Sequence, residues 1–229
     1  MLCRAHATPC AYLFDMDGLL LDTERAILEA TLTLLVPRGH DPAEVRRHFL
    51  SLVGSSAAFT KDYITRWLGE DAAQFETDLK ALHSRNMAQA VPVKPTVRAT
   101  LAALAAGPAP MAVVTSTQGA TARHHLQMAG LFDLFSVVVA GDEVTANKPD
   151  PAPYVQAARL LGVDPARCAA FEDSDRGITA AVRAGCLSVQ IPDLRPPDTP
   201  LPDLGQWVAA TLAEAVAPIQ NRAILEGSP

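Results

Sequence analysis

A chain of 229 residues, 49% apolar but only 5% aromatic, has room for one sizeable core or two small ones, built mainly from Ala, Leu and Val. Its formal charge of -6 argues against a broad nucleic-acid footprint and leaves no basic face for an anionic membrane surface. No apolar run is long enough to span a bilayer, and Met1 to Pro9 lacks the apolar segment of a signal peptide, so a soluble cytoplasmic protein with a small-molecule partner is expected. Cys3, Cys10, Cys168 and Cys186 show no C-x-x-C spacing, which favours buried small hydrophobes over disulfides.

The first expected element is a buried strand from Cys10 to Phe14. It runs into Asp15-Met16-Asp17-Gly18. Residues two apart on a strand share a side of the backbone, so Asp15 and Asp17 can be presented together where the strand ends and Gly18 turns the chain away. Neighbouring carboxylates repel each other unless a cation or a shared proton relieves them. A strand end followed by a helix start explains Asp22 or Thr23 as a cap and Glu24 in the first turn. It does not explain the Asp15/Asp17 pair.

From Asp22 to about Ala90 the spacing is helical. Ile27, Leu28, Leu32 and Leu35 make one apolar stripe, broken at Pro37 and Gly39. Asp41-Pro42 reads as an N-cap with a first-turn proline, opening a helix toward Leu50. Gly54-Ser55-Ser56 reads as a loop, and helices follow around Phe59 to Leu68 and Ala72 to Ala88. The charges of Arg46, Arg47, Lys61, Asp62 and Arg66 read as solvated faces.

Past the linker prolines Pro92 and Pro95, helix and strand alternate. Val97 to Ala106 is helical and stops at Gly107-Pro108. Strands are expected at Met111 to Thr115, Phe135 to Ala140, Cys168 to Phe171 and Leu187 to Ile191. Helices are expected from Ala120 to Ala129, from Asp150-Pro151 through Leu161, and from Ile178 to Ala184, with His124-His125 on a helix surface. A proline-rich loop from Pro192 to Pro202 precedes a last helix near Trp207 to Val216 and a polar tail. The pattern is that of an α/β fold, a parallel sheet with helices on both faces. In such sheets ligands sit at the carboxyl ends of the strands.

The polar residues at those ends are Asp15 and Asp17, then Thr115 and Ser116, then Glu172 and Asp173, with Lys148 in the loop after the third strand. Each alone has an ordinary explanation as a cap or a loop residue. Together they deliver carboxylates, hydroxyls and one ammonium to a single edge of the sheet.

These residues resemble the four motifs of the haloacid dehalogenase-like superfamily of phosphotransferases and phosphatases, in order and over nearly the whole chain. They stand as Asp15-Met16-Asp17-Gly18, Val114-Thr115-Ser116, Asn147-Lys148-Pro149, and Phe171-Glu172-Asp173-Ser174-Asp175-Arg176-Gly177. The endings Leu21-Asp22-Thr23-Glu24 and Lys148-Pro149-Asp150-Pro151 are similar to the β-phosphoglucomutase-like branch, although Ala152 stands where an acidic residue is common. The resemblance implies a Rossmann-like three-layer core from residues 1–20 and 92–229 and an inserted α-helical cap from residues 21–91.

It also implies roles. Asp15 would be the nucleophile that forms an aspartyl-phosphate, and Asp17 the general acid and then base. Thr115, backbone N–H groups near Ser116, and Lys148 would hold the phosphate. Mg²⁺, which favours an octahedral shell of oxygens, would be held by the Asp15 side chain, the Asp17 backbone carbonyl and Asp173, with Glu172 bound directly or through water. Three readings follow: a Mg²⁺-dependent phosphatase of a small phosphorylated metabolite such as a sugar or polyol phosphate, a β-phosphoglucomutase-type mutase, or a binding protein without turnover. A complete set of motif residues disfavours the last. In the mutase branch the resemblance implies a histidine on the first cap helix and an arginine after the cap's glycine loop. Ile27 and Ala57 fall at those positions, with Arg46 or Arg47 as the alternative partner for a distal phosphate. An aliphatic side chain can neither exchange a proton nor pair with phosphate, which favours water as the acceptor.

Overall fold

The structure, a computed structural model, describes residues 8–53, 57–196 and 199–226. Cys3 and the loop Gly54-Ser55-Ser56 lie outside the described residues, as does the side chain of Ala57. The chain forms two compact units: Met1–Leu21 with Val93–Asp193 and Leu201–Pro229, and Asp22–Pro92 with Leu194–Pro200. The strands are β1 Ala11–Phe14, β2 Met111–Val114, β3 Val137–Val139, β4 Cys168–Glu172, β5 Leu187–Gln190 and β6 Trp207–Val208. The α-helices are α1 Thr23–Leu35, α2 Pro42–Leu52, α3 Ala57–Leu68 and α4 Ala72–Gln89, then α5 Val97–Ala105, α6 Gly119–Met128, α7 Ala152–Leu160, α8 Asp175–Arg183 and α9 Leu212–Glu226. Among the described residues no helix is long and apolar enough to cross a membrane.

The first unit is organised on a six-stranded parallel sheet in the order β3-β2-β1-β4-β5-β6. β1 is interior, paired with β2 and β4, so its backbone is bonded on both edges and all four of its side chains are buried. Alternation sends Ala11 and Leu13 to one face with Ala112, Val114, Cys168 and Ala170. There Ala157 and Ala158 of α7 and Ala180 and Ala181 of α8 pack against them. Small residues on both sides let these helices approach the strands closely. The alternate residues bring larger rings together, with Phe14 stacked on Phe171 at 5.1 Å between centroids and edge-on to Phe135 at 6.1 Å. Burying each such side chain stabilises the fold by about 1.5–3 kcal/mol.

The second unit is helical. Leu28, Leu32 and Leu35, the stripe legible on α1, meet Val45, Ile64, Leu68, Ala72 and Phe75. Asp41 caps α2 as its sequence requires, accepting from the Ala43 and Glu44 backbone N–H groups. At the start of α1 the expectation fails in detail. Asp22 occupies the N-cap position without a side-chain cap bond and pairs instead with Arg25 at 3.3 Å.

Three further expectations are corrected. Trp207 and Val208 do not begin a helix; they pair with Val189 and Gln190 as the sixth strand. An aromatic and a β-branched residue beside the open edge of β5 suit a strand. The helix starts at Leu212, where Thr211 Oγ1 accepts from Glu214 N at 3.2 Å, and runs through Glu226 rather than giving way to a tail. His124 is exposed as expected, whereas His125 is half-buried and its Nδ1 is buried without a hydrogen-bond partner.

Candidate active site

Strand geometry assembles the site. Backbone pairing of β1 with β4 continues one residue past β1, where Asp15 N donates to Phe171 O at 3.0 Å. Asp15 thus keeps the parity of Ala11 and Leu13, and Glu172 keeps that of Cys168 and Ala170. Both carboxylates emerge on the face covered by α7, and α7 supplies the buried Tyr154.

Lys148 joins them. It is 5% exposed, and its ammonium meets three oxygens: the Asp15 carboxylate, Glu172 Oε1 at 2.6 Å and the Val114 carbonyl at 2.8 Å. The Tyr154 ring lies 5.4 Å from the same nitrogen, and the Tyr154 hydroxyl donates to Glu172 Oε1 at 2.5 Å. The loop that carries Lys148 is fixed from α8, where Arg176 donates to the Lys148 carbonyl at 2.6 Å and Arg183 to the Pro149 carbonyl at 3.3 Å.

The electrostatics of this cluster are one-sided. Burial pulls the Lys148 ammonium toward neutrality, but Asp15 and Glu172 outweigh it and hold Lys148 above the usual lysine range. Burial pushes the Asp15 carboxyl well above the usual carboxylate range, Lys148 opposes this, and Glu172 and Asp17 add to it. One ammonium among Asp15, Asp17 and Glu172 leaves the site short of positive charge.

Asp17 is held separately. Its Oδ2 accepts from Thr117 Oγ1 at 2.8 Å and from Thr115 Oγ1 at 3.3 Å, and Thr117 N donates to Thr115 Oγ1 at 3.0 Å. Ser116, just past β2, is exposed, and its hydroxyl takes no part in these contacts.

One carboxylate oxygen each from Asp15, Glu172 and Asp173 lie within 4.8 Å of one another. Two glycines clear space for this group. Gly18 has φ +83°, and a Cβ there would strike the Asp173 carboxylate, while a Cβ on Gly177 would strike the carboxylate of Glu172. Gly177 is itself tied down by the α8 cap, donating to Ser174 Oγ at 3.0 Å. An all-oxygen carboxylate set of this kind fits a hard divalent cation. The structure therefore brings together Asp15, Lys148, Glu172 and Asp173, joins Asp17 to Thr115, and leaves Ser116 apart. Thr117 and Tyr154 belong with them although the sequence reading passed over both.

Comparison with known proteins gives three findings. The family model described as haloacid dehalogenase-like hydrolase matches residues 12–191. The phosphoglycolate phosphatase of Yersinia pseudotuberculosis is 31% identical over 178 residues, covering 76% of each chain, and the Escherichia coli fructose-1-phosphate phosphatase YqaB is 33% identical over 186 residues, covering 78% of this chain and 94% of that one. Among solved structures, a haloacid dehalogenase family hydrolase from Deinococcus radiodurans R1, with bound phosphate and sodium, superposes with a TM-score of 0.76 at 27% identity, covering 95% of this chain and 98% of that one.

Proposed function

From the premise that this chain belongs to the haloacid dehalogenase-like hydrolase family and is a phosphatase of small phosphorylated metabolites, we propose that it hydrolyses a sugar or polyol phosphate with Mg²⁺, through an aspartyl-phosphate. The observation that carries this reading is the separation of its two leading carboxylates: Asp15 is gripped by Lys148, and Asp17 is held by Thr117 and Thr115.

The Asp15 carboxylate attacks phosphorus, and the bond from phosphorus to the alcohol oxygen breaks. Asp17, protonated, gives its proton to the departing alkoxide. The Asp17 carboxylate then takes a proton from water as the water oxygen attacks phospho-Asp15, releasing phosphate and restoring Asp15. Lys148 stays protonated throughout and offsets charge on Asp15 and the phosphoryl oxygens. Backbone N–H groups near Ser116, together with Thr115, orient the phosphoryl group. The residues fitted to hold Mg²⁺ are Asp15, Asp173, the Asp17 backbone carbonyl and Glu172; when bound, the cation supplies the positive charge that this acidic cluster lacks.

The acceptor is water. Ile27 borders a cavity of about 250 Å³ within the helical unit, among Phe49, Leu52, Ile64, Trp67 and Phe75. Ile27 itself offers no group to exchange a proton, and the polar residues of the same lining are Glu24, Thr31 and Thr60. The relatives named above, acting on phosphoglycolate and fructose 1-phosphate, support a small substrate. The test is phosphate release from fructose 1-phosphate, glucitol 6-phosphate and phosphoglycolate, with Mg²⁺ and after exhaustive chelation. Mg²⁺-dependent release is expected. Full activity after chelation would defeat the metal reading. Accumulation of glucose 6-phosphate ahead of free phosphate, from β-glucose 1-phosphate with a trace of glucose 1,6-bisphosphate, would replace the phosphatase with a mutase.

A further inference from the structure

We propose that Asp193, which follows β5, is a further carboxylate of the metal centre, holding a water of the bound cation rather than the cation itself. The inference rests on the Mg²⁺ reading above. The Asp193 side chain is only 6% exposed and its Oδ1 is ion-paired with Lys94. Its Oδ2 is buried and has no hydrogen-bond partner. A buried acceptor left unsatisfied is disfavoured, and more so when charged. Such an atom asks for a donor that these side chains do not provide.

Its surroundings name the donor. Asp193 Oδ2 lies 3.6 Å from the point where a Gly18 Cβ would stand, and the Asp173 carboxylate crowds that same point. Gly18 directly follows Asp17, and Asp173 is one of the three clustered carboxylates. The orphaned oxygen therefore borders the one acidic cluster among the described residues that could hold a cation. Mg²⁺ gives up its waters reluctantly and is bound through few carboxylates, so it arrives with several waters still attached. Water on a cation is a strong hydrogen-bond donor, and a carboxylate with one free oxygen is its natural acceptor. Lys94 occupies Oδ1 and so fixes which oxygen faces inward. Neither the four sequence motifs nor strand-end logic picks out Asp193, because it sits in a proline-rich loop.

Calorimetric titration of Mg²⁺ into metal-stripped full-length protein tests this without reference to turnover. Asp193→Asn keeps shape and an acceptor for Lys94 but removes the charge; it is expected to weaken Mg²⁺ binding about 10-fold or more, the usual effect of losing an outer partner of a metal site. Lys94→Met removes positive charge from an acidic neighbourhood and is expected to leave binding as tight or tighter. Should Asp193→Asn fold poorly, Asp193→Ser serves in its place, with thermal melts as the control for folding. If Asp193 exists only to pair with Lys94, both variants lose thermal stability alike and bind Mg²⁺ as the parent does, which overturns the proposal. Asp173→Asn separates the two levels. Loss of binding in Asp173→Asn with unchanged binding in Asp193→Asn sinks the Asp193 role alone, whereas a parent protein that binds no Mg²⁺ sinks the metal reading and this inference together.

Discussion

Tyr154 donates its hydroxyl to Glu172 at 2.5 Å where neither residue is exposed, and the same carboxylate oxygen lies 2.6 Å from Lys148. A phenol and an ammonium thus pin one carboxylate from two sides. Tyr154→Phe keeps the ring over Lys148 and removes only the hydroxyl. A hydrogen bond to a charged group contributes about 1.5–3 kcal/mol, so a stability loss of that order is expected in urea. With Glu172 free to turn, kcat is expected to fall about 10-fold with little change in KM. An unchanged kcat beside the stability loss would make Tyr154 a packing residue only.

Asp15→Asn is nearly isosteric and leaves Lys148 its contacts with Glu172 and the Val114 carbonyl. The variant is expected to fold and to lose turnover. Asp17→Asn loses leaving-group protonation, and general acid–base assistance is typically about 10²–10⁴-fold. Steady-state phosphate release from freshly purified protein checks both. Near-normal release by Asp15→Asn would remove it as nucleophile.

The glycine cradle makes a prediction of its own. Gly177→Ala places a methyl group into the Glu172 carboxylate, which is already fixed by Lys148 and Tyr154 and has nowhere to retreat. The variant is expected to lose both stability and activity, because overpacking of this kind typically costs about 1–3 kcal/mol. Gly162, with nothing within 4 Å of its Cβ position, provides the comparison, since its φ of +70° makes an alanine there locally strained but clash-free. Equal effects at both positions, read from denaturation midpoints and phosphate release, would show that the cradle does not constrain Glu172.

What was legible in the sequence tracks where the decisive information is local. Asp15 and Glu172 stand out because each ends an apolar strand, and strand parity sends both to one face. Thr117 sits three residues beyond the end of β2 and reads as loop; its bond to Asp17 crosses 100 positions of chain. Tyr154 reads as one more apolar residue on α7, and only the packing of that helix against β1, β2 and β3 brings its hydroxyl to Glu172. Trp207 reads as a helix start, because the open edge of β5 and not its own neighbours decides its conformation. The α1 start deceived for a related reason, as Arg25 competes for the Asp22 side chain.

Thr96 is expected to mark a stabilising substitution. It precedes α5 with φ 68°, a left-handed conformation that is unusual for a β-branched residue, and its side chain makes no cap bond. The left-handed conformation costs an L-residue about 1–2 kcal/mol, against about 0.5–1 kcal/mol for the extra freedom of an unfolded glycine. Thr96→Gly is expected to raise stability by about 0.5–1 kcal/mol, or a few degrees in Tm. A lower Tm would show that Thr96 is held by something beyond its backbone.

Two thiols set an alkaline limit. Burial, with Cys10 adding, pushes Cys168 up to about 11, and burial, with Cys168 adding, pushes Cys186 up to about 12. Unfolded, both ionise near pH 8.5. Above that pH the unfolded chain binds fewer protons than the native one, so stability falls as pH rises. The loss is expected to begin near pH 8.5 and continue toward the native values. Urea midpoints measured from pH 8 to 11 check this, and Cys186→Ala should flatten the decline. A midpoint that holds steady to pH 11 would show that these thiols ionise as easily folded as unfolded.

The burial of Lys148 with Asp15 and Glu172 also sets durability against activity in this chain. Removing one member strands a charge and costs several kcal/mol, whereas exchanging the whole group for well-packed apolar residues is commonly neutral or stabilising. The most heat-resistant descendants of this sequence would therefore be inactive ones. In a lineage relieved of its substrate, selection for endurance alone would dissolve the catalytic cluster first and leave the six-stranded sheet standing.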